Sequence, residues 1–350
     1  MLEPAYRPTR SDVVAPVMVD PSGQRGPTRA RARGPQWRRT SHGFYVPADV
    51  DGDAPLQRIA EASVAIPEIG GLTGWAALRW LGATWFDGTA DGGRRQRPVT
   101  LATCYMDVRT QPGIEICQER LAPTELVIHE GIPVTEPARS VCFEARYARS
   151  KLDALVTIEM AAFHDLVSAA EYADFTLERR GWTGVPQARE LIDLIDENSW
   201  SPMETRLRMR WCLHLGLPPP LANRPLFDLQ GRHIGTPDLF DPSRALAVEY
   251  DSHLHLTTSR RAVDRDRETL FRDHGVEVAT ILTADGAHSG ALAKRLGEAV
   301  DRAERTLPSR TARWTLQQPA WWLPSQTVEQ RRALAARGLF RYLPSHRHAA

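Results

Sequence analysis

Lysine is nearly absent from this chain: among 44 basic residues only Lys151 and Lys294 are lysines. The arginine bias fits genome composition better than chemistry, but it restricts which cation an active site can use. Cysteine is also scarce. Cys104, Cys117, Cys142 and Cys212 form no CxxC pair, and no histidine sits at zinc-like spacing from them, so a structural zinc is not expected. Free thiols in a reducing cytoplasm fit best. No apolar run approaches the roughly 20 residues of a membrane span. The N-terminus carries acids and prolines where a signal peptide needs an apolar core. A cytoplasmic protein without a membrane partner is therefore expected.

What is present is enough to build a large core. The 350 residues are 42% hydrophobic and 25% charged, which implies two or three domains. The net charge of +1 decides nothing about nucleic acid, but its distribution is uneven. Arg25, Arg29, Arg31, Arg33, Arg38 and Arg39 follow one another without an intervening acid. Such a patch suits phosphates, or it is a solvated, loose arm.

Residues 1–35, rich in Pro, Gly and Arg, read as a loose basic leader. Residues 36–135 read as a β-rich region opening on a hairpin at 37–47, with helices at 56–65 and 73–81. Thr73 is placed to cap the second helix. Strands are expected near 99–102, 126–129 and 132–134, the last at a sheet edge because it contains Pro133. Residues 136–200 form a helical connector. From Ser201 the pattern becomes α-β-β-β-α-β-α up to residue 307, with strands at 226–229, 233–240 and 245–250. A Trp-rich tail, 308–350, follows. The expected fold class is α/β (α+β), with a C-terminal mixed sheet flanked by helices.

The chemistry concentrates between Gly235 and Asp251. Asp238 ends one strand, residues 241–244 turn the chain, and Glu249 ends the next strand. If the strands pair, both carboxylates reach one end of one sheet. A hard divalent ion takes one or two such carboxylates together with water and a phosphate oxygen. It lowers the pKa of bound water and stabilises charge on the phosphate being cut. The apolar run at 245–248 predicts a strand buried on both faces, so Glu249 and Asp251 either hold an ion or mark where the strand meets solvent. Ser201-x-x-Glu204 is a capping box with Pro202 at the first helical position, which gives Glu204 a purely local reading. The arginines after the site, Arg260, Arg261, Arg265, Arg267 and Arg272, could grip phosphates or pair with the acids interleaved among them.

Pro237-Asp238, a spacer, and then Glu249-x-Asp251 resembles the restriction-endonuclease-like superfamily, whose mark is Pro-Asp followed by (Asp/Glu)-x-Lys. More closely, Glu249, Asp251, Ser252 and His255 resemble the Glu-x-Asp-Gly-x-x-His core of actinobacterial Vsr-like endonuclease-domain proteins. The resemblance spans about residues 201–302 and includes the Ser-Pro-Met-Glu helix start. It implies Asp238 and Glu249 as metal ligands, with the Tyr250 backbone carbonyl as a third. It also implies Glu204 as a first-helix acid facing the metal, and Asp251 and His255 as catalytic groups. Asp251 stands where the superfamily has lysine, and Ser252 replaces a glycine. The N-terminal half, from Trp37 through Thr73-Gly74-Trp75, resembles the segment that AbiEi-type antitoxin proteins carry ahead of such a domain. Together these imply a Mg²⁺- or Mn²⁺-dependent DNA endonuclease, with Arg260, Arg261, Arg267, Arg38 and Arg39 on the nucleic acid. The alternative is a catalytically silent DNA-binding regulator of antitoxin type.

Overall fold

The computed structural model describes residues 5–104, 108, 109, 111–251, 258–282 and 289–344, with the backbone alone at 258–265 and 289. The chain divides into two compact units. One comprises Met1–Thr157 with Ala170–Ile192, and the other Ile158–Ala169 with Asp193–Ala350. Helices and mixed sheets occur in both.

In the first unit the hairpin forms as its sequence predicts. Strands β2 (Trp37–Ser41) and β3 (Phe44–Pro47) pair antiparallel, with Gly43 supplying the positive φ (+82°) of the turn. The preceding stretch differs from the loose leader expected. Strand β1 (Val17–Met18) pairs with β3 and gives backbone groups there a partner. Helices α1 (Pro55–Ser63) and α2 (Gly74–Trp80) follow, with β4 (Gly71–Leu72) before α2. Thr73 does not cap α2. Its hydroxyl accepts from Thr135, and the Glu144 carboxylate takes the Trp75 N–H instead.

A small hairpin, β5 (Thr89–Ala90) and β6 (Arg95–Gln96), precedes β7 (Val99–Ala102), β8 (Ile114–Cys117), β9 (Leu126–His129) and β10 (Ile132–Thr135). The larger sheet runs β8-β7-β4-β10-β9, so Pro133 lies in an inner strand and not at an edge. It is tolerated because β10 meets β4 through one pair, Val134 opposite Leu72, which leaves Pro133 outside that ladder. Helices α3 (Pro137–Arg146), α4 (Lys151–Phe163), α5 (Ala169–Glu178) and α6 (Val185–Arg189) complete the middle of the chain.

In the second unit, α7 (Pro202–Leu215) starts at Ser201, whose hydroxyl accepts the Glu204 N–H at 3.2 Å. It stops at Gly216, in the left-handed region. The strands are β11 (Leu221–Ala222), β12 (Leu226–Asp228), β13 (His233–Gly235), β14 (Leu239–Asp241) and β15 (Leu246–Asp251). After α8 (Thr258–Asp273) come β16 (Glu277–Leu282), α9 (Ser289–Thr306), β17 (Trp314–Thr315) and α10 (Val328–Ala336).

One sheet runs β11-β14-β15-β16 and another β13-β12-β17. The single strand expected over 233–240 is thus two. Pro237 has no N–H to continue a ladder, and the halves on either side of it pair in different sheets. In the four-stranded sheet β14 and β15 are antiparallel, and β15 and β16 are parallel across the α8 crossover.

Alternation along these strands builds a two-sided core. Leu239, Leu246, Val248, Ala279 and Ile281 meet Leu207 and Trp211 of α7 and Leu292, Leu296 and Val300 of α9. From the opposite face, Phe240, Ala247 and Val278 meet Phe271 of α8, with Leu226 and Ile234 beside them. Both faces of β15 are covered, as its unbroken apolar run predicts.

Candidate functional site

The same alternation aims the acidic residues. Phe240 and Ala247 point to the α8 side of the sheet, so Asp238, Glu249 and Asp251, each an even number of residues away, leave from that side. Leu239 is opposite Val248, which brings Asp238 and Glu249 to the next rung. Asp238, Glu249 and Asp251 line one cavity of about 290 Å³ together with Tyr250, Arg267, Glu268, Phe271, Val278 and Thr280.

Within it, Asp238 Oδ2 accepts the Tyr250 N–H at 2.7 Å. Burial pushes the Asp238 carboxyl up to about 6, opposed by that N–H and by the positive charge of Arg267. Glu249 Oε1 lies 3.0 Å from Arg267 Nη2, and the same guanidinium nitrogen donates to the Thr236 carbonyl. Arg267 also covers the Phe271 ring, 5.7 Å from its centre. Because α8 presents Arg267 and Phe271 one turn apart, the anchor that buries the helix also delivers the cation.

Glu204 stands behind this cavity rather than in it. Its Oε2 accepts from the Trp200 N–H at 2.8 Å and from Asn223 Nδ2 at 2.6 Å. Burial first, and the Asp238 charge second, push its carboxyl up to about 8. The capping box forms only in part: Ser201 accepts the Glu204 N–H, but the Glu204 carboxylate takes the Trp200 N–H rather than that of Ser201, and it lies where the Asp238 charge acts on it. The connection runs through Asn223, whose N–H donates to the Asp238 carbonyl at 3.0 Å. Asn223 holds φ +45°, a conformation asparagine tolerates better than most residues. Asn198 fixes it from behind, donating to the Ala222 and Asn223 carbonyls. Sequence reasoning missed both asparagines. Their signal, an amide side chain in a loop, is too common to single out.

The other expected site residues fall elsewhere. His255, and the side chains of Arg260, Arg261 and Arg265, lie outside the described residues. Arg38 is bound by Glu61, at 2.6 and 2.9 Å, and Arg39 donates to the Ser41 carbonyl of its own hairpin. Arg272 pairs with Glu268 one turn back at 2.6 Å, the interleaved ion pairing that the helix sequence allowed.

Among the described residues, no group of three or more His, Cys, Asp and Glu side chains is placed to hold a metal ion. The oxygen donors of Asp238, Glu249 and Asp251 nevertheless suit Mg²⁺, which keeps several waters and needs only one or two carboxylates. The competitor for Glu249 is Arg267.

No protein-family model matches the chain. Two curated relatives of Mycobacterium tuberculosis are similar to it, "Uncharacterized protein Rv2248" of strain ATCC 25618 / H37Rv and "Uncharacterized protein MT2308" of strain CDC 1551 / Oshkosh. Each is 28% identical over 208 residues, which covers 58% of this chain and 76% of the relative. No solved structure matches.

Proposed function

We propose that the second unit is a metal-dependent phosphodiesterase acting on nucleic acid, with Asp238 and Glu249 as ligands for Mg²⁺ or Mn²⁺. The observation that carries this reading is the opening of three carboxylates onto one cavity beside a guanidinium. Asp238 is held in place by the Tyr250 N–H, and Glu249 by Arg267. Asp251, at the end of β15 and lining the same cavity, would accept a proton from an attacking water. Arg267 lines this cavity, and it would supply the positive charge that the resembled superfamily takes from its lysine. It can hold a phosphate oxygen while its other contacts keep it fixed. A bound divalent ion would lower the pKa of water and neutralise charge on the phosphate.

The ion pair between Glu249 and Arg267 favours a second reading, in which the site binds DNA without cutting it. One experiment separates the two. Purified full chain with Mn²⁺ or Mg²⁺ is expected to nick supercoiled plasmid. Asp238→Asn and Glu249→Gln are each expected to lower the rate by more than about a hundredfold, the scale seen when one preorganised group is lost. Nicking that survives both substitutions overturns the assignment. Salt-sensitive DNA binding without nicking by the wild-type chain supports the silent regulator.

A further inference from the structure

An aromatic cluster on the hairpin that leads into Asp238 is not used by the chemistry above. Trp322 lies against three rings: His233 at 4.9 Å between centroids, Phe227 at 5.0 Å and Trp321 at 5.6 Å. Trp321 packs edge-on against both Trp322 and Phe227, yet remains 60% exposed, and Leu229 in the adjacent turn is 66% exposed. The frame beneath is fixed. Strand β17 pairs with β12, and Pro319 seats on the Gly231 turn. A large indole held rigidly with much of its surface in water is an unusual use of apolar area, and it marks a binding surface.

Two features indicate what binds there. The first is continuity with the carboxylate cavity. His233 Nε2 is 3.0 Å from Thr236 Oγ1, the Thr236 carbonyl accepts from Arg267, and Asp238 follows two residues later. His233 and Asp238 are five positions apart, a reach of at most about 18 Å. That distance corresponds to about five stacked nucleotides at roughly 3.4 Å each. The second is charge: Arg313, before β17, is exposed, and Arg232, on the same turn, exposes 79% of its side chain while its Nε pairs with Asp228 at 2.6 Å. A strand that places a phosphate at Arg267 would carry its neighbouring bases toward the indoles and its backbone toward these arginines.

We infer that Trp321, supported by Trp322 and His233, stacks an unpaired nucleobase of the strand whose phosphate enters the Asp238–Glu249 cavity. The inference rests on the proposed action on nucleic acid and adds a preference for single-stranded or locally unpaired substrate. Stacking suits such a site because every base offers a π face, so affinity is gained without sequence readout.

The test compares two fluorescein-labelled oligonucleotides on the full chain, without divalent metal. One is a thymidine 12-mer, and the other is its abasic counterpart with the same phosphates. Wild type is expected to bind the thymidine strand more tightly. Trp321→Ala is expected to lose roughly five- to 150-fold on that strand and little on the abasic one, matching the loss of one base–aromatic stack. Trp321→Phe, which keeps a ring, is expected to retain most of the preference. Equal binding of both strands by wild type, or an unchanged preference in Trp321→Ala, overturns the inference. A change in sedimentation of Trp321→Ala with unaltered oligonucleotide binding also overturns it, and assigns the patch to a second copy of the chain. A thymidine preference in a protein that never nicks plasmid leaves the base site standing and removes the hydrolytic reading.

Discussion

The carboxyls of Glu204 and Asp238 set the pH behaviour expected of the second unit. Both are pushed above their ordinary range, Glu204 to about 8 and Asp238 to about 6, with burial the leading cause for each. For a group whose folded pKa is raised, the folded state holds its proton more tightly than the unfolded chain does. The associated stability is fully present only below the ordinary carboxyl values, 3.8 for Asp and 4.5 for Glu, and is lost as pH rises from there through the raised values of the pair. Glu204→Gln removes the buried charge and keeps an oxygen to accept from the Trp200 N–H and Asn223. This variant is expected to melt higher than wild type at pH 9, by about 5 °C, with the difference shrinking toward pH 5. A difference that does not change with pH would contradict the raised carboxyl of Glu204. Of this residue pair, the motif pointed to Asp238 and the capping box to Glu204. That they interact was not legible, because the contact runs through Asn223 from a third segment.

At the level of elements, α8 both covers one face of the sheet and furnishes the cation. Its span was legible to within a residue, 259–273 expected and Thr258–Asp273 found. Its orientation was legible in part. Phe271 is buried while its neighbour Leu270 stays exposed, so Phe271 identifies the inward face on which Arg267, four residues earlier, also lies. The break at Pro237 was not recognised, because the β-prone run on either side of it continues without a change in pattern. Phe271 is 1% exposed and packs with Phe240, Ala247 and Val278. Phe271→Ala is expected to cost about 3–5 kcal/mol in urea unfolding of the second unit, the range for a buried phenyl ring. A loss below about 1 kcal/mol would show that α8 is held by its exposed ion pairs rather than by this ring.

Across the whole molecule, the mixed α/β class followed from hydrophobic periodicity, and the two acids from one short motif. The groups that complete the candidate site are scattered: Asn198, Glu204, Asn223, Asp238, Glu249 and Arg267 come together only in the fold. The aromatic cluster likewise joins Phe227 and His233 to Trp321 and Trp322 of the tail, across some ninety residues of chain. Local pattern cannot disclose such contacts, since no single stretch holds two partners at a diagnostic spacing. The near absence of lysine gains meaning at this scale, because the cation facing Glu249 comes from another element and is an arginine. Asp238 and Glu249 are expected to hold a divalent ion together while Arg267 is present. Electron paramagnetic resonance of free Mn²⁺, titrated with the full chain at pH 8, reads this directly. One Mn²⁺ is expected to bind per wild-type chain and none in Asp238→Asn or Glu249→Gln. Absence of Mn²⁺ binding by wild type, or binding undiminished in both variants, would contradict it.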